Sequence, residues 1–146
     1  MNSTARHLVL VVEDNPDLRR QLQIILEESA LACIVARNEI EGYEKLNDDI
    51  FAVVADIDLS ETGGQDRGGI ILAEQLAILG TGPPVILISQ TPWAFLPSVD
   101  ESDYEKWRRA INVVAMLDRN DVHFWAKLID CLRSVNRDAH NQGEKP

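Results

Sequence analysis

The chain of 146 residues is long enough for one domain with a core of ordinary size. Hydrophobic residues make up 45% of it and charged residues 26%, which excludes a disordered or fibrous protein. Fourteen lysines and arginines against 24 acidic residues give a formal net charge of −10. Because binding to a phosphate backbone needs clustered basic side chains, this balance disfavours direct nucleic-acid binding. It suits basic partners or a bound metal cation.

The N-terminus and the cysteines bear on the compartment. Residues 1–6 form a short polar extension, and the apolar run that follows, Leu8–Val12, is too short for a signal-peptide core or a membrane span. Cys33 and Cys131 lie far apart in the sequence and lack the spacing of metal ligands. Isolated thiols of this kind are usually packing residues of intracellular proteins. We therefore expect a cytoplasmic protein that does not insert into a membrane.

Strand-like apolar runs alternate with helix-like patterns along the chain, which predicts a doubly wound α/β fold, a parallel sheet with helices on both faces. The first strand is predicted over His7–Val12. Asn15 has the side chain of an N-cap, and Pro16 suits the first position of a helix. The buried stripe of this helix follows at steps of three and four residues: Leu18, Leu22, Ile25, Leu26 and Ser29.

The second and third strands flank a second helix. The second strand is predicted over Ala32–Ala36. Asn38, with Glu41 three residues later, has the pattern of a capping box and predicts a helix start. The third strand, Ile50–Ala55, is continuously apolar, as a strand buried on both faces should be, and it ends at Asp56.

The second half of the chain is predicted to add two more strands. A helix through Leu72, Leu76 and Leu79 ends at a run of glycines and prolines. After it come a strand over Val85–Ile88, a long loop over 90–101, a helix from about Ser102, a strand over Val113–Leu117 and a last helix over about 121–135. We expect residues 7–136 to form the domain and the polar residues 137–146 to be a disordered tail.

Polar side chains follow the strands at the sheet edge where open parallel α/β folds bind ligands. They are Glu13 and Asp14 after the first strand, Asp56 and Asp58 after the third, Ser89 after the fourth, and Asp118 and Arg119 after the fifth. Gathered carboxylates repel one another without a cation, and Mg²⁺ prefers their hard oxygen ligands. A single aspartate at a strand end is more often a turn former or a helix cap, but that explanation would have to hold at four strand ends independently.

Three segments resemble the receiver domain of bacterial response regulators, over roughly residues 7–136. Leu8–Arg19 resembles the family's first strand with its acidic pair, Val53–Asp56 the phosphoacceptor strand, and Val85–Ser89 the strand that ends in the switch hydroxyl. The resemblance implies a flavodoxin-like, receiver-type sheet of five parallel strands. It also implies a single-domain response regulator of a two-component phosphorelay, a phosphoacceptor that signals through protein contacts and is not an enzyme.

The resemblance further implies a role for each site residue. Asp56 would be the nucleophile that takes a phosphoryl group from a histidine kinase or a phosphotransfer protein. Asp14 and Asp56 would ligate Mg²⁺ directly, the backbone carbonyl of Asp58 would be the third protein ligand, and Glu13 would act through water. Ser89 would hydrogen-bond the phosphoryl group.

The sequence departs from the family pattern near the site. Arg119 and Asn120 stand where receivers usually have lysine and proline, and Met116 stands at the aromatic switch position. Arginine keeps the charge of lysine but has a different shape, and we expect Arg119 to reach the phosphoryl group. The loops over 57–69 and 90–101 are longer than usual. We expect the second of them to be the output surface through its large apolar side chains, Trp93, Phe95 and Leu96.

Other magnesium proteins share part of this pattern. Glu13, Asp56 and Asp58 have the spacing of a toprim nuclease or primase domain, although toprim domains usually place glycine where this chain has Asp14. The Asp-x-Asp string also resembles haloacid-dehalogenase-type phosphatases, which carry a downstream lysine and acidic pair that are missing here. A pseudo-receiver that binds partners without being phosphorylated is a third alternative, because Arg119 is atypical.

Overall fold

A computed structural model describes residues 7–56, 72, 75–76, 82–89 and 113–144, with side chains described as far as residue 137. The strands are β1 (Leu8–Val12), β2 (Ala32–Ala36), β3 (Ile50–Asp56), β4 (Val85–Ser89) and β5 (Val113–Asp118). They form a five-stranded sheet in the order β2-β1-β3-β4-β5, and each neighbouring pair is parallel. The chain therefore crosses from one side of β1 to the other after β2, as the predicted doubly wound fold requires.

Helix α1 (Pro16–Glu28) begins as predicted. The side chain of Asn15 accepts hydrogen bonds from the backbone N–H groups of Asp17 and Leu18, at 2.9 and 3.2 Å. Pro16 occupies the first turn, where its missing N–H costs no helical bond. Since the cap lies two residues after Glu13, it fixes the direction in which the chain leaves the acidic end of β1.

Helix α2 (Glu39–Glu44) begins with only part of the predicted capping box. The side chain of Asn38 accepts from the backbone N–H of Glu41 at 2.9 Å. The carboxylate of Glu41 pairs with Arg37 Nε at 3.0 Å and with Lys45 Nζ at 3.2 Å. These partners are exposed neighbours on the helix surface, so the pairs contribute little to stability.

The C-terminal helix, Phe124–Glu144, corrects the prediction for the end of the chain. We expected a helix ending near 135 and a disordered tail over 137–146, but the helix continues to Glu144. A polar sequence indicates that a helix is exposed to solvent, but it does not prevent the backbone from being helical. Proline and glycine are the residues that end or weaken a helix. The segment from Phe124 to Glu144 contains no proline, and its glycine, Gly143, lies in the last turn. None of the described helices is long and apolar enough to cross a membrane.

Apolar side chains cover the sheet on both faces, because successive residues of a strand point to opposite sides. On one face, Val9 and Val11 belong to a core shared with α1 and the C-terminal helix. The helical members of this core are Leu22, Leu26, Phe124, Leu128 and Leu132. On the other face, Leu10 and Val12 pack in a second core with Leu72 and Leu76. Leu79 and the predicted elements between Ser89 and Val113 lie outside the described residues.

Gly42 of α2 touches the strand that carries the acidic pair. A Cβ atom at this position would lie 2.9 Å from Val12 Cγ2 and 3.4 Å from Leu72 Cδ2. Gly42→Ala gains about 1 kcal/mol of helix propensity, but overpacking against a stiff β-branched core residue costs roughly 1–3 kcal/mol. We expect Gly42→Ala to lower the free energy of unfolding by about 1 kcal/mol in urea denaturation, because the overlap outweighs the propensity gain.

The same change in a Val12→Ala background is the control for this prediction. Removing Val12 Cγ2 removes the overlap, so Gly42→Ala should there be neutral or stabilising, with a coupling energy of about 1 kcal/mol or more. Strictly additive effects of the two substitutions would show that the cost of the alanine arises elsewhere.

Candidate functional site

The sheet register brings the ends of β1 and β3 together. Val12 pairs with Ala55, so Glu13 and Asp56 follow side by side at the carboxyl edge of the sheet. Next along this edge, Ser89 ends β4 and pairs with Asp118 of β5. Glu13, Asp56 and Ser89 are 1%, 6% and 1% exposed, so these polar side chains are as buried as the core. Burial of two carboxylates in contact with each other is costly and requires compensation.

Arg119 supplies a positive charge to both carboxylates. Its Nη1 atom lies 3.1 Å from Asp56 Oδ2, within hydrogen-bond distance, and 3.7 Å from Glu13 Oε2. Its backbone N–H donates to the carbonyl of Ser89 at 2.8 Å, which ties the start of this side chain to the end of β4. The structure thus places together Glu13, Asp56, Ser89 and Arg119, which the sequence had assigned to one edge of the sheet.

The backbone at Glu13 is held on several sides. Its N–H donates to the carbonyl of Ala36 at 3.0 Å, and its carbonyl accepts from Arg19 Nη1 at 3.0 Å. Its Oε1 atom accepts from the backbone N–H of Asn15 at 3.1 Å. Arg19 was missed in the sequence reasoning. The available signal was its place in the first turns of α1, because helical side chains lean toward the helix N-terminus and so toward this loop.

The carboxyl group of Glu13 has an unusually high affinity for a proton. Oε2 is buried and accepts no hydrogen bond within the described part of the chain. The pKa of Glu13 is raised from 4.5 to about 9, first by burial and then by the hydrogen bond and negative charge of Asp56. The N–H of Asn15 opposes this rise without offsetting it. At neutral pH without a metal, Glu13 therefore keeps a proton that it can donate to Asp56, and the charge of Arg119 neutralises Asp56.

The other predicted metal ligands are less fully described. Asp14 is partly exposed at the same loop, and its side chain adds to the raised pKa of Glu13. Asp58 and the loop over 57–69 lie outside the described residues. Within the described ranges, no three histidine, cysteine or acidic side chains are grouped as a metal site. The chemistry of the donor set still fits a divalent ion, because Glu13 Oε2 is a buried oxygen with no hydrogen bond among the described residues and Asp56 follows the neighbouring strand.

Two departures from the family pattern are visible around the site. Met116 is half-buried and packs against the core that contains Leu10 and Val12. The described part of the chain contains no cis peptide bond, and Asn120, at the position where receivers usually have proline, donates its backbone N–H to Asp118 Oδ1 at 2.8 Å. The region over 90–101, with Trp93, lies outside the described residues, so its role as an output surface remains a prediction.

The cysteines are placed away from this edge of the sheet. Cys33 on β2 and Cys131 on the C-terminal helix are free thiols that pack against the core containing Val9 and Val11. Burial raises the pKa of the Cys33 thiol to about 11 and also raises the pKa of Cys131. A raised thiol pKa lowers the thiolate fraction and hence reactivity, which agrees with a packing role.

Comparison with known proteins identifies the fold. No protein-family model matches the sequence, and no curated protein sequence matches it. Among solved structures, a response regulator receiver protein from Pseudoalteromonas atlantica superposes with a TM-score of 0.72 at 16% identity, over 90% of this chain and 98% of that one. A CheY-like receiver domain from Methanospirillum hungatei JF-1 gives a TM-score of 0.71 at 16% identity, over 92% and 97% of the two chains.

A third relative was solved with a ligand. The response regulator TrrA from Thermotoga maritima, in complex with Mg²⁺ and BeF, superposes with a TM-score of 0.66 at 18% identity, over 88% of this chain and 97% of that one. All three likenesses cover most of both chains. The chain therefore has the fold of response regulator receiver domains, as the sequence predicted.

Proposed function

We propose that this chain is a receiver domain of a two-component phosphorelay, phosphorylated on Asp56. The observation that supports this most strongly is the buried contact of Asp56 with Glu13 and Arg119 at the carboxyl edge of a receiver-type sheet. Burying an aspartate at the end of the central strand β3 costs free energy, and a functional role accounts for this cost. Asp56 lies at the edge of the sheet where such folds bind ligands.

Phosphoryl transfer to Asp56 is an in-line displacement. One carboxylate oxygen forms a bond to phosphorus, while the bond from phosphorus to the donor breaks and the donor atom keeps the electron pair. The donor atom is a histidine nitrogen in a kinase or phosphotransfer protein. Asp56 then carries a dianionic acyl phosphate in place of a single negative charge. Arg119 can pair with the new phosphoryl oxygens, and the Ser89 hydroxyl can donate a hydrogen bond to them.

A divalent cation, Mg²⁺, belongs to this proposal. Asp14, Asp56 and the carbonyl of Asp58 would hold it, with Glu13 acting through water. When bound, it would neutralise the negative charge that the phosphoryl donor brings to the acidic edge. Glu13 would orient a water molecule bound to the cation, because Ala36, Asn15 and Arg19 fix the backbone and one carboxylate oxygen of Glu13.

The proposed partners follow from the same chemistry. The upstream partner would be a cytoplasmic histidine kinase or phosphotransfer protein, and the downstream partner another protein. The net charge of −10 favours basic docking surfaces and disfavours nucleic acid. A toprim nuclease would use Glu13 and Asp56 as metal ligands, but it has no role for an arginine bonded to Asp56.

The deciding experiment is acetyl-phosphate labelling followed by intact and tandem mass spectrometry. We expect one phosphoryl group per chain in Mg²⁺, carried by the peptide that contains Asp56, and none in EDTA. A DNA-cleavage assay in the same buffer tests the nuclease alternative. Cleavage without labelling would favour the toprim reading. A protein with neither activity would be a pseudo-receiver, and phosphorylation of Asp56 would then be rejected.

A further inference from the structure

Arg119 is unusual in that one guanidinium lies between two buried acids. Its side chain is 13% exposed, and the side chains of Glu13 and Asp56 are 1% and 8% exposed. The contact with Asp56 is a charge-assisted hydrogen bond at 3.1 Å. The same Nη1 atom lies 3.7 Å from Glu13 Oε2, which accepts no hydrogen bond from the residues that the structure describes. Because solvent is largely excluded, screening is weak and these contacts are stronger than surface ion pairs.

The chemistry of arginine makes this contact persistent. A guanidinium stays charged throughout the physiological pH range, and its planar set of N–H groups can serve two carboxylates at once, whereas an ammonium is a compact point charge. The backbone N–H of Arg119 is bonded to the carbonyl of Ser89, so its side chain starts from a fixed point. The resting pocket therefore already contains a cation held by the acids that a metal would need.

We propose that Arg119 is a resident counter-ion that competes with the divalent cation for Glu13 and Asp56. This inference rests on the proposed metal-dependent receiver function and concerns the regulation of that site. A metal at Asp56 would have to share this carboxylate with the guanidinium that already bonds to Oδ2, and the positive charge between the acids repels an incoming cation. Arg119 thus lowers the affinity of the resting protein for the divalent cation.

The test is direct binding of Mn²⁺ alone, measured by electron paramagnetic resonance of the free ion. We expect Arg119→Gln to bind Mn²⁺ about tenfold more tightly than the wild type, because it removes the competing charge and keeps much of the side-chain volume. Arg119→Lys should lie between the two, since lysine keeps the charge but loses the planar fork. If Arg119→Gln folds poorly, the Mn²⁺ affinity of Arg119→Lys is compared with that of the wild type instead.

A matched control separates local competition from overall charge. Arg37→Gln removes the same charge from an arginine that is largely exposed and pairs with Glu41 at 3.0 Å, away from the acidic pair. It should bind Mn²⁺ within twofold of the wild type. As a second measurement, Mn²⁺ should raise the Tm of Arg119→Gln by more than it raises the Tm of the wild type, because tighter binding to the folded state stabilises it further.

The outcomes distinguish this inference from the function on which it rests. If Arg119→Gln binds Mn²⁺ no more tightly than Arg37→Gln, or more weakly than the wild type, Arg119 is not a competitor. If none of the variants binds Mn²⁺, the proposal of competition is also rejected, since no cation then binds to Glu13 and Asp56. In each of these cases the receiver function is judged separately, by whether acetyl phosphate labels Asp56.

Discussion

The Asp56→Asn protein is expected to take up no phosphoryl group from acetyl phosphate and Mg²⁺. A carboxamide oxygen is a poor nucleophile and cannot form the acyl phosphate, so the expected effect is complete loss of labelling. The substitution keeps the shape of the side chain and an oxygen that can accept from Arg119, so the fold should persist. Intact-mass spectrometry of the treated protein measures the loss, and circular dichroism checks that the variant is folded.

Asp118→Asn is the matched control for this substitution. Asp118 also ends a strand at the same edge, and its Oδ1 atom accepts from the backbone N–H of Asn120. An asparagine oxygen can keep that bond, so we expect labelling within about twofold of the wild type. Undiminished labelling of Asp56→Asn, or equal loss in both variants, would show that Asp56 is not the acceptor.

The convergence of the site was predictable because it depends on few facts. Parallel strands have their carboxyl ends at one edge, so Glu13, Asp56 and Ser89 had to lie near each other once the strands were recognised. The strands themselves were predictable from their continuous apolar runs, which are typical of strands that are buried on both faces. The cap at Asn15 was also readable, because it depends only on the identities of adjacent residues.

Features that depend on side-chain reach were not predictable in the same way. The sequence placed Arg119 at the correct strand end, but its simultaneous approach to Glu13 and Asp56 depends on the conformation of a long side chain. Arg19 reaches back to the carbonyl of Glu13 from the neighbouring helix, and its place in the first turns of α1 indicates the direction of the side chain but not its partner. The extent of the C-terminal helix was misjudged, because polarity beyond 135 was taken as disorder although the backbone there contains no early helix breaker.

The raised pKa of Glu13 was only partly predictable from the sequence. Adjacent acids after β1 and an acid after β3 predict electrostatic repulsion. They do not predict that Glu13 holds a proton, because that depends on burial, and Glu13 is almost fully buried. The structure therefore identifies Glu13 as a buried group that couples proton binding to stability.

The Glu13→Gln substitution is expected to raise the stability of the metal-free protein at pH 8 by roughly 1–3 kcal/mol, because the wild type at that pH has to take up a proton at Glu13 in order to fold. The pKa of Glu13 is about 9 in the folded protein against 4.5 as its ordinary value, so folding retains a proton that the unfolded chain releases between these values. The stabilising contribution of this group is complete below about pH 4.5 and is lost progressively as the pH rises to about 9. Glutamine mimics the protonated acid and can still donate to Asp56, so it removes this loss.

Urea unfolding in EDTA at pH 5.5 and pH 8.5 measures the effect as the difference between variant and wild type. The stability advantage of Glu13→Gln should grow with pH, because only the wild type has to keep a proton on Glu13 in the folded state. The groups around Glu13, namely Asp56, Asp14 and Arg119, are present in both proteins, so their contributions largely cancel in the difference. Glu44→Gln is the control, since it makes the same change of side chain at an exposed position on α2, away from the acidic pair. If both substitutions change stability equally at both pH values, Glu13 ionises normally, and a site built on a protonated buried acid has to be abandoned.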